Sequence, residues 1–237
     1  PNVIRPLLVE KLNTQVQEIE VSSTDNVSLK SWFYKNNKNK YTVLFLHGNN
    51  GNLKTRIYKL NEFKDLNLNY LIISWRGFNG NNGKPTEQGL YDDGRNAVKW
   101  LEKNNIQKNK IILYGESLGT GVAAELAQNE KFAGVILESP YTSIGEVAKI
   151  RYPYLPVDIL LKDKFLTIKK IENISVPIFV IHGRLDRKIP VYMGQKIFDA
   201  AKSKKYKYFP ENDRHMIRYD VQFISELKKF INKIINL

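Results

Sequence analysis

The sequence predicts a single α/β domain, residues 1–237, with a mostly parallel central sheet, helices on both faces and a small helical cap. Apolar runs typical of buried strands alternate with helix-forming segments, which is the pattern of parallel sheets joined by crossover helices. A chain of 237 residues is long enough to give such a domain a substantial core. Small and polar residues follow most of the apolar runs, at the sheet edge where α/β proteins carry their sites.

The composition is that of an ordinary globular protein, and it excludes several chemistries. The chain has no cysteine, which rules out disulfides, thiol nucleophiles and cysteine-ligated metals. Its three histidines lack HxxxH or HExxH spacing, so we predict no metal site and no cofactor. The net charge is +13, but the lysines are scattered and no nucleic-acid motif appears. We therefore predict no nucleic-acid partner, and attraction to anionic lipid stays open.

Hydrophobic periodicity places the secondary structure in order. Gln15 to Val21 alternate and predict an edge strand, and Val27 to Tyr34 predict a second strand. The continuous run from Tyr41 to Leu46 predicts a buried central strand. Further strands are predicted at Leu68–Trp75, Ile111–Leu113, Gly134–Leu137, Val176–Ile181 and Lys207–Phe209, and helices at Leu53–Phe63, from the N-cap Thr86 to Leu101, and at Val221–Ile235. Asp92 and Asp93 are assigned to the helix dipole rather than to chemistry.

The stretch KIILYGESLGTGVAAELA, from Lys110 to Ala127, reads as a strand, a tight turn and a helix. Its centre is Gly115-Glu116-Ser117-Leu118-Gly119, the G-x-S-x-G pattern of a nucleophile elbow. Small residues are needed on both sides of the serine because the backbone folds back sharply there. That geometry exposes the Ser117 hydroxyl beside a helix N-terminus, where free N–H groups can stabilise an anion.

A second glycine-containing turn, His47-Gly48-Asn49, follows the central strand. Its backbone is free to point N–H groups at one spot. We predict that the N–H groups of Asn49 and Leu118 form an oxyanion hole, with an ordinary Gly/Asn loop as the alternative. His47 precedes the turn and is interpreted as structural.

An alcohol needs a base to become a nucleophile at neutral pH, and histidine is suited to that task. His215 follows the last strand, and Asp186 follows the strand before it. We predict that His215 activates Ser117 and that Asp186 holds the imidazole, in the chain order Ser, Asp, His. Glu138 is the alternative acid, and His182 is expected to pack at its strand end.

The segment from Tyr141 to Ser175 is too long for a plain connection. We predict a cap insertion at about 142–175, and the alternative is a pair of ordinary packing helices. Apolar side chains of this segment are expected to line an acyl pocket, namely Tyr141, Tyr154, Leu155 and Leu160. Arg151 and Lys162 are expected at its rim.

Several motifs together resemble the α/β-hydrolases, in the group that includes the Bem46-like proteins and the serine aminopeptidase S33-type hydrolases. The matching motifs are HGNNGN, RGFNGNNGKPTEQGLYDDG, GESLGTGVAAELA, LESPYTS, RYPYLP, HGRLDRKIP and the loop that holds His215. The resemblance covers nearly the whole chain from about residue 15, and it implies that the family's catalytic residues correspond to Ser117, Asp186 and His215. Members include esterases, thioesterases that remove fatty acyl groups from proteins, and lipid hydrolases.

The residues and the resemblance together predict a serine hydrolase that cleaves carboxylic esters or thioesters of small molecules or lipids through an acyl-enzyme. The alternatives are a catalytically idle binding protein on the same scaffold and an S33-type peptidase. Several family members carry an N-terminal membrane anchor, and this chain begins at Pro1 rather than Met. We therefore expect a cytoplasmic or membrane-associated protein, with peripheral or anchored membrane association left open.

Overall fold

A computed structural model of the chain describes residues 5–7, 11–23 and 25–235, so that Pro1, where the predicted domain begins, lies outside the described residues. The described part contains one nine-stranded sheet. Its strands are β1 (Arg5–Leu7), β2 (Val16–Ser22), β3 (Ser28–Tyr34), β4 (Thr42–Leu46), β5 (Asn69–Ile73), β6 (Ile111–Glu116), β7 (Gly134–Glu138), β8 (Ile178–Ile181) and β9 (Lys205–Tyr208). The spatial order is β1-β2-β3-β5-β4-β6-β7-β8-β9.

The sheet is antiparallel only at its start. β1, β2, β3 and β5 pair antiparallel in that order, and every later pair is parallel. The predicted mostly parallel sheet is therefore confirmed. The prediction that Gln15 to Val21 form an edge strand is wrong, because β1 pairs with the outer side of β2. The alternation in β2 arises because one of its faces is buried, and this pattern is the same in an edge strand and an inner one.

Helices cover both faces of the sheet, as predicted. They are α1 (Ile57–Asp65), α2 (Glu87–Lys103), α3 (Leu118–Ala127), α4 (Ile144–Arg151), α5 (Val157–Leu160), α6 (Thr167–Ile171), α7 (Val191–Ala200) and α8 (Val221–Ile235). Alternate side chains of β4 enter opposite cores: Leu44 and Leu46 pack with α2, α3 and α7, whereas Val43 and Phe45 pack with α1 and α8. No helix of the described chain is both long and apolar enough to cross a bilayer.

Two helices differ from the prediction. The segment Leu53–Arg56 forms a 3₁₀ turn before α1, because the side chains of Asn52 and Thr55 cap each other's backbone N–H groups. The helix α7 was not assigned from the sequence at all. Its buried residues Met193 and Ile197 are four apart and face the core, which is a helical signal that the reading missed.

A buried ion pair ties the end of β5 to α2. Asp93 is fully buried, and its Oδ1 lies 2.7 Å from Nη2 of Arg76. Nη1 of the same arginine lies 2.7 Å from Oδ2 of Asp25. Asp93 also accepts the backbone N–H of Arg76 at 3.1 Å. The dipole interpretation is wrong for both Asp92 and Asp93, because both lie beyond the first turn of a helix that begins at Glu87. Its neighbour Asp92 is partly exposed and pairs with Arg95.

We predict that Asp93→Ala lowers the free energy of unfolding by about 3–5 kcal/mol, because it leaves the buried guanidinium of Arg76 without its main partner. The neighbouring change Asp92→Ala is the matched control and should cost no more than about 1 kcal/mol, since its pair with Arg95 is half exposed. Urea unfolding of both variants measures the difference, and equal losses would contradict the assignment.

Candidate active site

The turn between β6 and α3 has the shape of a nucleophile elbow. Ser117 adopts φ +50° and ψ −114°, a conformation that non-glycine residues hold only when the surrounding structure enforces it. A Cβ on Gly119 would lie 1.9 Å from the carbonyl oxygen of Leu46, and one on Gly115 would lie 2.6 Å from the carbonyl oxygen of Gly119. The two glycines of the motif are therefore required by close backbone approach, and this approach fixes where the Ser117 side chain stands.

The structure brings Ser117, His215 and Asp186 together from the ends of three strands. Nε2 of His215 lies 3.0 Å from Oγ of Ser117, and Nδ1 lies 2.7 Å from Oδ2 of Asp186. The three residues follow β6, β9 and β8, all on the carboxyl edge of the parallel sheet. A hydroxyl, an imidazole and a carboxylate in this sequence form a chain through which a proton can leave the hydroxyl.

Asp186 is held from several sides. Its Oδ1 accepts the backbone N–H groups of Lys188 at 2.8 Å and Ile189 at 3.0 Å, and Nε2 of His182 approaches Oδ2 to 3.3 Å. Burial alone would raise the pKa of the Asp186 carboxyl. The hydrogen bonds from His182 and His215 and the charge of His215 outweigh burial and hold that pKa well below its usual range. Asp186 is therefore a carboxylate at neutral pH.

His182 does more than pack at the end of β8. It is fully buried, and its Nε2 lies 2.8 Å from the carbonyl oxygen of Ile189 as well as near Asp186. An Nε2–H tautomer suits both acceptors. The sequence offered one signal of this contact, the spacing of four residues between His182 and Asp186 across a tight turn.

The alternative acid, Glu138, faces away from the imidazole. Its Oε2 lies 2.6 Å from Nζ of Lys59 and accepts the Tyr114 hydroxyl at 2.6 Å. The residue after Glu138 contacts the loop that carries His215, because Oγ of Ser139 donates to the carbonyl oxygen of His215 at 2.8 Å. Of the two candidate carboxylates, Asp186 is the one in contact with His215.

A buried group of charged side chains lies beneath the elbow, and we call Arg56, Lys59, Glu116 and Glu138 the Lys59 cluster. The side chain of Lys59 is fully buried, with Nζ 2.8 Å from Oε2 of Glu116 and 2.6 Å from Oε2 of Glu138. Burial favours the neutral amine, but the two carboxylates outweigh it and raise the pKa of Lys59 well above its ordinary value. Burial likewise opposes ionisation of Glu116, yet Lys59 and Arg56 hold its pKa far below the ordinary value.

The Lys59 cluster was missed from the sequence because a lysine in a predicted helix is usually solvated. A signal was present: Arg56, Lys59 and Phe63 are spaced three and four apart, on the same helical face as the core. The cluster also reaches the predicted oxyanion loop, since the N–H of Gly48 donates to Oε1 of Glu116 at 3.2 Å.

The backbone positions proposed for the oxyanion hole border one pocket with Ser117 and His215. Asn49 and Leu118 both line this pocket, which has a volume of about 900 Å³. Leu118 is the first residue of α3, so its N–H has no acceptor within the helix. His47 lies outside the pocket and is buried. Burial lowers its pKa to about 4, so it is neutral, and Nδ1 donates to the carbonyl oxygen of Gly48 at 2.7 Å.

The pocket wall differs from the predicted one. Tyr141 lines it, and its hydroxyl donates to the carbonyl oxygen of Leu118 at 3.2 Å. The prediction is wrong for Tyr154, Leu155 and Leu160, which are exposed and do not line the pocket. Among the side chains of the short helix α5 that the structure describes, Val157 is buried, whereas Ile159 and Leu160 face outward. The apolar wall consists instead of Ile144, Val147, Ile150, Leu161, Phe165, Ile189 and Met216.

Four cations also border the pocket, and one of them is Arg56 of the Lys59 cluster. Arg151 lies there as predicted. Arg187 and Lys188 come from the loop after β8 that also carries Asp186, and the sequence did not predict them as pocket residues. The predicted rim residue Lys162 does not line the pocket. Among the residues that the structure describes, no group of three or more His, Asp or Glu side chains is arranged to hold a metal ion.

Comparison with known proteins identifies relatives. The family described as alpha/beta hydrolase fold matches residues 41–165. Protein bem46 of Schizosaccharomyces pombe is 31% identical over 219 residues, which cover 85% of this chain and 72% of that protein. Lysophosphatidylserine lipase ABHD12 of Danio rerio is 30% identical over 197 residues, covering 73% of this chain and 51% of that protein. The esterase Pf2001 of Pyrococcus furiosus shares the fold, with a TM-score of 0.79 over 98% of both chains at 22% identity.

We predict that Lys59→Met lowers the free energy of unfolding by about 3–5 kcal/mol, because it leaves the buried carboxylates of Glu116 and Glu138 without the ammonium between them. Lys54→Met is the matched control in the preceding turn, where the lysine is exposed, and it should change stability by less than about 0.5 kcal/mol.

The pH dependence of this loss has a definite sign. The folded-state pKa of Glu116 lies below its ordinary value of 4.5, so its stabilisation is present above about pH 4.5 and disappears as the pH falls towards the folded-state pKa. The gap between the wild type and Lys59→Met should therefore be widest at neutral pH and narrow in acid. Denaturant unfolding at pH 7 and pH 4 measures both gaps, and a gap that widens in acid would contradict the ion-pair account.

Proposed function

This chain belongs to the α/β-hydrolase family, among its Bem46-like members, and we propose that it is a serine hydrolase that cleaves carboxylic ester or thioester bonds through an acyl-enzyme. One observation carries the proposal: Oγ of Ser117 lies 3.0 Å from an imidazole whose other nitrogen is 2.7 Å from a buried carboxylate. This chain of groups opens into a pocket large enough for an acyl substrate.

The first step is the attack of Oγ of Ser117 on the carbonyl carbon of the substrate. Nε2 of His215 takes the hydroxyl proton as the new C–O bond forms, because it already lies within hydrogen-bond distance of Oγ. The imidazole then carries a positive charge. Asp186 remains ionised and accepts the Nδ1–H, so it stabilises that charge and keeps the ring in the orientation that proton transfer needs.

The attack places a negative charge on the former carbonyl oxygen. We propose that the backbone N–H groups of Asn49 and Leu118 donate to this oxygen, with the N-terminus of α3 contributing its partial positive charge. The tetrahedral intermediate then collapses. The bond to the leaving alcohol or thiol breaks, the proton on His215 passes to the leaving group, and an acyl ester on Ser117 remains.

Water completes the cycle by the same groups in reverse roles. His215 takes a proton from a water molecule as that water attacks the acyl carbonyl, and the same N–H groups donate to the new oxyanion. Collapse releases the carboxylic acid and returns the proton to Oγ of Ser117. The Lys59 cluster supports both halves, since Glu116 holds the N–H of Gly48, the residue before Asn49.

The proposed substrate is a small-molecule or lipid acyl compound. The apolar wall of the pocket suits an acyl chain, and one relative is named as a lysophosphatidylserine lipase. Peripheral or anchored association with a membrane is part of this proposal. The alternative is an idle scaffold that only binds ligands, and labelling of Ser117 by a fluorophosphonate separates the two because only an activated serine reacts.

We predict that Ser117→Ala reduces the turnover of p-nitrophenyl esters by at least about 10⁴-fold and abolishes fluorophosphonate labelling. The exposed serine of α8 supplies the control, because Ser225→Ala should leave both signals unchanged. Thermal unfolding should show that both variants are folded. Turnover at the wild-type rate in Ser117→Ala would overturn the nucleophile assignment.

The oxyanion proposal makes a prediction about backbone rather than side chains. Asn49→Ala keeps the N–H and should change kcat by less than about threefold, whereas Asn49→Pro removes it. Loss of one such donor costs about 2.7–4 kcal/mol of transition-state stabilisation, so Asn49→Pro should lower kcat by about 10²–10³-fold. Steady-state kinetics on one ester measures both variants, and similar rates would place the donor elsewhere.

We predict that kcat/KM rises from acetyl to at least butyryl esters or thioesters, because each methylene that enters the apolar wall contributes about 0.8 kcal/mol. Val147→Phe should shorten the preferred chain, since Val147 lines the pocket. A kcat/KM that falls steadily from acetyl onward would contradict an acyl pocket. Efficient release of an N-terminal amino acid from peptides would contradict the ester preference.

A further inference from the structure

The segment from the last turn of α4 to the end of α5 exposes an unusual number of large apolar side chains. Tyr154 is 82% exposed, Ile159 84% and Leu160 62%. Half of the large exposed apolar residues of the described chain fall within this segment, and they are Ile150, Tyr152, Tyr154, Leu155, Ile159 and Leu160. We call these six residues the 150–160 surface.

Local structure explains why these side chains face water. The helix α5 is only four residues long, and Val157 is its one buried anchor among the residues whose side chains are described. The remaining apolar positions therefore have no core to enter. Contiguous exposed apolar residues are unfavourable in water, and they mark interaction surfaces when a folded chain retains them.

The 150–160 surface continues into the candidate active site. Ile150 belongs to it and also lines the pocket that contains Ser117, so Ile150 lies at the pocket mouth. Arg151, which follows Ile150 in the chain, and Leu161, which follows Leu160, line the pocket as well. Whatever contacts this surface therefore lies beside the entrance through which a substrate reaches Ser117.

Several cationic side chains lie near the apolar ones in sequence or at the pocket, with Asp163 between two of them. Arg151, Lys162 and Lys164 flank the apolar residues in sequence and are exposed, and Arg187 and Lys188 add two more exposed cations at the pocket. No acidic side chain among the described residues forms an ion pair with Arg151 or Lys162, so their charge is available to a partner. The chain as a whole carries a net charge of +13.

We propose that the 150–160 surface docks on an anionic lipid membrane. Tyr154, Ile159 and Leu160 enter the headgroup region, and the flanking cations contact lipid phosphates. Aromatic and aliphatic side chains with a rim of cations match the layered chemistry of a bilayer surface, apolar inside and negative outside. A tyrosine is suited to that boundary because its ring is apolar and its hydroxyl is polar. The pocket mouth then opens towards the bilayer.

Vesicle co-sedimentation of the full chain tests this proposal. This inference rests on the membrane association included in the proposed function, but not on the proposed catalysis. Ser117→Ala protein is used throughout, so that lipid hydrolysis does not interfere and binding is measured independently of the proposed hydrolysis. We expect it to bind vesicles of phosphatidylcholine with phosphatidylglycerol at least about ten-fold more strongly than vesicles of phosphatidylcholine alone, with binding that weakens as salt is added.

Matched variants locate the contact. Tyr154→Ser/Ile159→Ser should lower the partition coefficient by at least about ten-fold, because both side chains are proposed to enter the interface. Tyr192→Ser/Val221→Ser removes a similar exposed pair on α7 and α8 and should change binding by less than two-fold. Arg151→Gln/Lys162→Gln should weaken binding to anionic vesicles by about ten-fold, whereas Lys103→Gln/Lys228→Gln removes equal charge elsewhere and should have a small effect.

Three outcomes would overturn the proposal. One is the absence of binding to anionic vesicles, and another is an equal loss in the test and control pairs. The third is that the chain self-associates in analytical ultracentrifugation, and that Tyr154→Ser/Ile159→Ser abolishes this self-association while lipid binding is unchanged. That result would assign the surface to contact between copies of the chain. Hydrolysis of a soluble ester by the wild type is scored separately and bears only on the proposed function.

Discussion

The ammonium group of Lys59 is the contact on which the carboxyl edge of the sheet depends. Glu116 and Glu138 are register partners at the ends of the neighbouring parallel strands β6 and β7, and two carboxylates so placed repel each other. Nζ of Lys59 lies within 2.8 Å of both, and burial strengthens this attraction because the protein interior screens charge weakly. Without this cation Glu138 would lose its ion-pair partner, and Glu116 would keep only its pair with Arg56.

The elbow and the oxyanion loop follow from that arrangement. Glu116 precedes Ser117 and accepts the N–H of Gly48, so one carboxylate fixes the approach of the two turns that border the pocket. The carbonyl of Leu46 lies so close to Gly119 that no side chain fits there. The backbone conformation of Ser117 at φ +50° is maintained by contacts around it, which places a hydroxyl where His215 can reach it.

The pocket joins two kinds of surface at one opening. Its lining combines Ser117 and His215 with an apolar wall, and it also includes the exposed cations Arg151, Arg187 and Lys188. Apolar lining favours an acyl chain by burial, whereas cations attract anionic groups over a Debye length of about 8 Å at physiological salt. A substrate that is apolar at one end and anionic at the other, or presented at an anionic surface, satisfies both parts.

The sequence by itself determined most of the strands and helices, though not β1 or α7. It also determined the elbow and the identity of Ser117, Asp186 and His215 as candidates, because periodicity, close glycine packing and strand-end position are expressed over a few residues. Only the tertiary structure decided that Lys59 joins carboxylates 57 and 79 residues away, and that Asp93 rather than Asp92 pairs with Arg76. It also decided that Tyr154 and Leu160 face outward, and that β1 covers β2. Each of these contacts and orientations depends on which distant segment packs against the residue, and the local sequence pattern does not identify that segment.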